Sequence, residues 1–340
     1  MEQNKKINES RAKIQNVMKT LKNTIRYNEA VDALVLSLVA REDVMLVGPR
    51  GAGFAQLVQA LARLVQAQLV TTISTEEWPS DDRFNFLNRL VFIKIGPDAV
   101  LPPRLIERKN AWILIAVNEE GNGKEMQMPY GRFVKAFMQY LNGSDLISAV
   151  KARWLYEYPA IASMEDVKTL HEYATSLLRQ ESIVKSYYEN VVTLVEALRV
   201  KHIAVGDEHV IETLPRLYAA YLAIHGASPE NMIGAAYEIL PYIAQTREEL
   251  SNMKKVIDER FGEIATLVRL LNDGKQQLEI GDVRGALEAF HEVAAYDANH
   301  LPPGLKQNAE DLINAANKYI EKIQKLIDVM RGESKTASSK

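Results

Sequence analysis

A glycine-rich turn between a strand and a helix is one of the few short patterns that can hold phosphate, and Gly48-Pro49-Arg50-Gly51-Ala52-Gly53-Phe54-Ala55 has that form. Such a loop turns backbone N–H groups inward around the phosphates. A Lys then reaches the terminal phosphates and a Ser or Thr holds magnesium. The G-x-x-x-x-G spacing is present here, but Phe54 stands at the Lys position and Ala55 at the hydroxyl position. The turn is kept without its charge and its metal ligand. Arg50 lies inside the loop and is either a replacement cation for a phosphate or a solvent-facing turn residue. The acids Glu76, Glu77, Asp81 and Asp82, interleaved with Trp78-Pro79-Ser80, read as helix caps and a solvated turn rather than a metal site. The six histidines show no H-E-x-x-H spacing. The absence of cysteine excludes thiolate catalysis, disulfides and Cys-based zinc or iron–sulfur sites. No catalytic residue and no metal site is expected.

The elements that position the loop are legible from hydrophobic period. Val44 to Val47 is a short apolar run ending at Gly48, and Leu57, Ala60, Leu61, Leu64 and Val65 then return to helical spacing, so strand, loop and helix follow one another. Leu90 to Ile95 and Trp112 to Val117 are two further buried strands, and alternation of strands with helices implies a parallel sheet with crossover helices. Residues 1–27 carry seven Lys/Arg and two Glu, with Ile7, Ile14, Val17, Leu21 and Ile25 on one stripe. That stripe predicts a helix covering its own domain in preference to a membrane-surface helix. Asn28 is expected to cap a second helix running to Ala40. From Ser163 onward the strand signals vanish, with helix starts at Ser163-Met164-Glu165-Asp166 and Ser228-Pro229-Glu230.

Taken together, the loop and its strand (Met45 to Gly53) and the Ala33 to Leu38 helix resemble the MoxR branch of the AAA+ ATPases over roughly residues 5–250. The resemblance implies a P-loop α/β domain followed by a helical lid. In that family the strand after the loop ends in Asp-Glu, which places magnesium and the attacking water; here Leu90 to Ile93 is followed by Lys94-Ile95. Ile113 to Val117 with Asn118 looks like the sensor strand with its polar tip kept. Gly131-Arg132-Phe133 is similar to the family's Asp-Arg-Phe, whose neighbourhood can supply an arginine to the next subunit's nucleotide. Val205-Gly206-Asp207-Glu208-His209 occupies the lid position where the family carries a serine and paired arginines facing phosphate, and those arginines are missing. On this resemblance hydrolysis by the family's route is lost, and ATP or ADP binds weakly at best.

Leu250, Met253, Ile257, Phe261, Ile264, Val268 and Leu271 form a heptad-like seam that needs covering by another helix. Beyond it, Gly281-Asp282 to Phe290 resembles a single tetratricopeptide-type hairpin, with Ala286 allowing close approach and Phe290 filling the groove; a plain helical hairpin on Leu305 to Met330 is the simpler reading. The 340 residues are accordingly divided into an α/β domain with N-terminal helices (1–158), a helical lid (159–249), a C-terminal helical region (250–330) and a disordered tail (331–340). A net charge of −3 gives no basic excess for nucleic acid, and no apolar run is long enough to span a membrane, so a cytoplasmic address is expected. Protein partners, met through the C-terminal helices, and possible oligomers complete the expectation of a non-hydrolysing scaffold. The contrasting classes are an ATP-driven remodelling enzyme with an altered site and an unrelated α/β binding module.

Overall fold

A computed structural model describes residues 2–49, 52–72, 89–95, 111–120, 133–141, 145, 160–301 and 303–337. Five strands, β1 (Val44–Pro49), β2 (Leu69–Thr72), β3 (Leu90–Ile95), β4 (Ile113–Glu120) and β5 (Val134–Phe137), lie in the order β2-β3-β4-β1-β5. Every neighbouring pair is parallel. The glycine loop thus leaves an interior strand whose Val44, Leu46 and their neighbours are buried, which is why β1 reads as a continuous apolar run. β2 and β5, four residues each, add to the three strands legible in the sequence.

Helix α1 (Glu2–Ile25) buries all five residues of its predicted stripe, Ile14 and Leu21 completely. Its apolar face therefore covers its own domain. Helix α2 (Asn28–Ala40) is buried along nearly its whole second half, so its last carbonyls cannot turn to water. The Trp112 indole donates to Leu38 O at 2.8 Å, and His171 Nδ1 lies 2.9 Å from Val39 O. The cap of α2 is Tyr27 and not Asn28, which is already the first helical residue. Helix α3 (Phe54–Leu64) follows the glycine loop directly.

The helical part that the sequence reading takes as a lid begins with α4 (Met164–Leu177), opened by the expected capping box: the Ser163 side chain accepts from Asp166 N, and the Asp166 carboxylate takes the Ser163 N–H. The same carboxylate accepts from Ser10 at 2.9 Å and pairs with Lys13 at 3.1 Å, fastening α1 to the lid. Helices α5 (Glu181–Tyr187) and α6 (Thr193–Val200) join through a π turn, and α7 (Leu214–His225) and α8 (Pro229–Ile239) complete the lid. One core runs from α1 through the sheet to the start of the next helix, ending at Met253, Val256 and Ile257.

That helix, α9 (Arg247–Glu279), is 33 residues long and passes without a break from the first core into a second. With α10 (Val283–Ala294) and α11 (Pro303–Ala337) it encloses Ile264, Leu271, Phe290 and Leu312. Met253, Ile257, Ile264, Val268 and Leu271 of the heptad-like seam are buried, covered within the chain. Ala286 and Phe290 are both fully buried, as their predicted places in the hairpin require. Phe290 stacks on Tyr319 with ring centroids 4.9 Å apart, and Gly274 lies against the Phe290 ring. The second core is not separate: Ile233 of α8 belongs to it. Helix α11 continues to Ala337, past Arg331, where the sequence pattern placed the start of a tail.

Candidate functional site: the glycine loop and its surroundings

Gly48, near the end of β1, has no room for a side chain. A Cβ there would lie 2.5 Å from the carbonyl oxygen of Met138, just beyond β5, so the glycine permits β1 and the end of β5 to close up. Met138 N donates to Val47 O at 2.7 Å across the same junction. After Pro49 the chain turns, with Ala52 N donating to Pro49 O at 3.1 Å. Gly53 caps α3 at φ 88°, a left-handed conformation that favours glycine. A Cβ on it would meet the Tyr27 ring at 3.6 Å, so the tyrosine that opens α2 packs against the end of the loop.

Phe54 and Ala55, which the sequence reading puts at the Lys and hydroxyl positions of a phosphate loop, are the first two residues of α3. Phe54 is 5% exposed and belongs to the main core, and Ala55 packs against that core. The Phe54 ring is thus spent on packing. Arg50, Gly51 and Arg132 lie outside the described residues, as do Glu76, Glu77, Asp81 and Asp82.

The strand register places the other expected positions around β1. Asn118 of β4 is opposite both Val47 of β1 and Ile95 of β3, and Lys94 of β3 is opposite Val117. Lys94, Ile95 and Asn118 thus share the carboxyl-terminal edge of the sheet with the glycine loop, the edge at which open α/β sheets bind ligands. In the lid, Asp207 is held by Arg199 at 2.6 Å. His209 is buried and its Nδ1 has no hydrogen-bond partner; burial chiefly, with Lys135 nearby, lowers its pKa below the ordinary histidine value.

Sequence reasoning missed Arg247. Its guanidinium donates to Met138 O at 2.8 Å, the oxygen that Gly48 abuts, and lies 5.4 Å from the centre of the Phe137 ring. Lys135 of β5 also reaches the start of α9, donating to Gln245 Oε1 at 2.6 Å. The lid-to-hairpin junction is thereby tied to the sheet edge beside the loop. The only signal in the sequence was the helix start Thr246-Arg247-Glu248-Glu249, a capping pattern that says nothing of what Arg247 touches.

No family profile matches the chain, and no curated protein sequence matches it. Among solved structures it is similar to one from Cytophaga hutchinsonii ATCC 33406 described as a "putative ATPase". The TM-score is 0.53 at 16% sequence identity, and the match covers 74% of this chain and 96% of that one. At that identity the likeness is one of fold: a parallel α/β sheet followed by a helical part, in an ATPase-like arrangement. Among the described residues, no helix is long and apolar enough to cross a membrane.

Proposed function

We propose that this chain is a catalytically degenerate AAA+-like protein of the MoxR type, which keeps the fold as a non-hydrolysing assembly or adaptor scaffold and acts through protein contacts. The observation that carries this reading is Phe54: the residue at the position of the phosphate-reaching Lys is an apolar ring 5% exposed, packed in the core. Phosphoryl transfer depends almost wholly on positioned charge and metal, so a site with neither that Lys nor a magnesium hydroxyl at Ala55 lacks what stabilises the transferring phosphoryl group. Lys94-Ile95 at the end of β3 puts a basic and an apolar residue where metal placement needs acids. Partner contacts fall to the C-terminal helices, whose outward faces carry Ile280 (68% exposed) and Leu326 (65% exposed).

Turnover decides between this reading and an altered ATPase. Purified protein with magnesium and ATP should release phosphate no faster than a heat-inactivated control. Release above that control, abolished by deleting the glycine loop, would sink the scaffold reading and favour a remodelling enzyme.

A further inference from the structure

Two cavities among the described residues lie away from the glycine loop. The larger, about 650 Å³, sits where α1 and α2 face the lid helices α7 and α8 and the C-terminal helices α9 and α11. The smaller, about 270 Å³, is lined partly by β5. Glu238, near the end of α8, and Tyr242 line both. A space of this size, walled by several elements, is of the kind that takes small molecules.

The charges on its wall are unequally satisfied. Each lining cation of the larger cavity has an acid beside it: Lys22 with Asp32 at 2.7 Å, Arg269 with Asp258 at 3.5 Å, Lys275 with Glu230 and Lys19 with Glu279, both at 3.9 Å. Glu238 has no hydrogen bond and no ion pair among the described residues. Burial, with Asp32 and Glu29 close by, raises its pKa; Lys22 and Lys254 act against this but are engaged by Asp32 and Glu29. Glu238 is half-buried, and a carboxylate on a cavity wall without an ion-pair partner is open to a cation from solution.

The neighbouring wall says which cation. Tyr221 and His225 present rings with centroids 4.4 Å apart, and Tyr242 adds a third aromatic surface. Burial, then Lys22, Lys275 and Arg11, push the His225 imidazole down to about 3, so it is neutral; Lys22 and Lys275 are already paired with Asp32 and Glu230, which leaves Glu238 to meet a positive guest. A hard divalent ion needs about six oxygen ligands, and no three acidic or imidazole groups converge among the described residues. Aromatic faces beside one carboxylate suit a cation with both N–H donors and methylenes.

We propose that this cavity binds a small organic ammonium ion, its N–H groups donating to the Glu238 carboxylate and its methylenes lying against Tyr221 and Tyr242. The guest would touch the N-terminal helices, the lid and the C-terminal helices together, and so stiffen their junction without involving the glycine loop.

Calorimetric titration of the full chain with 1,4-diaminobutane, butylammonium and, as the charge-reversed control, succinate tests this. The wild type should bind at least one amine saturably and leave succinate unbound. Glu238→Gln should weaken amine binding by about tenfold or more. The variant without ligand should keep a cooperative melt close to that of the wild type, which separates lost binding from lost fold. Equal amine binding by the variant, binding of succinate in preference to amines, or no saturable amine binding by the wild type would each overturn the proposal. The wild-type comparison of amine with succinate stands even where the variant fails to fold.

Discussion

Phe54 sits at the first turn of α3, where a nucleotide-binding loop would present its ammonium group, yet it touches the core and not the solvent. Its contribution should therefore register as stability. Phe54→Ala is expected to lower the unfolding free energy by about 3 kcal/mol, the usual cost of emptying a buried aromatic site, read as a lower urea midpoint with an unchanged slope. A change within about 0.5 kcal/mol would mean that the ring is not packed and that the position is open to a ligand. That Phe54 follows a G-x-x-x-x-G spacing was legible in the sequence. The direction of the ring was not, because an apolar residue at the start of an amphipathic helix points inward or outward according to a loop conformation that no local pattern specifies.

At the scale of elements, Gly274 in α9 sets two effects against each other. Gly→Ala in a helix interior ordinarily gains about 1 kcal/mol. Here a Cβ would lie 2.6 Å from the Phe290 ring, which is fully buried and stacked on Tyr319, so little room is left for the ring to shift. Overpacking of this kind costs about 1–3 kcal/mol, and the net effect of Gly274→Ala should be destabilising in thermal or urea unfolding. The helix α7 offers a pH test through His225, whose pKa is pushed down to about 3 by burial first and then by Lys22, Lys275 and Arg11. Between that value and the unfolded histidine value of about 6.5, the unfolded chain binds the extra proton. His225 thus favours folding above that window, and stability is lost as pH falls through it, by up to about 1.4 kcal/mol per pH unit. Asp32 and Glu238, raised mainly by burial, have the opposite sign, since their protonated forms are favoured in the fold as pH falls. Comparing wild type with His225→Gln across pH 4 to 7 isolates the histidine: the difference in stability should shrink toward acid pH, and a pH-independent difference would contradict its burial in neutral form.

The helices were far more legible than the sheet edges for reasons visible in single elements. The stripes of α1 and α9 repeat over many turns, so their period survives local noise, and all five stripe residues of α1 are buried. β2 and β5 have four residues each, and β5 carries a Lys at its second position. That Lys135 is buried, with Gln245, more than a hundred positions away, among its partners. Glu238 was illegible for a similar reason: on α8 it looks like one more polar residue, and only the meeting of α2 and α8 encloses it beside Asp32.

For the whole molecule, the continuity of α9 decides how the chain can be divided. Met253, Val256 and Ile257 complete the first core, whereas Ile264 to Leu271 belong to the second. A chain ending at residue 262 keeps the first set, and one ending at residue 250 loses it. The longer truncation product should melt cooperatively, and the shorter should melt lower or aggregate, because three buried aliphatic contacts are removed at about 1.5–3 kcal/mol each. Equal melting of the two would show that the start of α9 adds nothing to the first core. If the C-terminal helices carry the partner contacts, both truncations should lose pull-down of a partner that the full chain retains.

The central claim is that the glycine loop keeps the shape of a phosphate site without its grip, and calorimetric titration with a non-hydrolysable ATP analogue in magnesium tests it most directly. The expected result is no saturable binding, or a dissociation constant well above the low micromolar range. A dissociation constant in the low micromolar range or tighter would contradict the account.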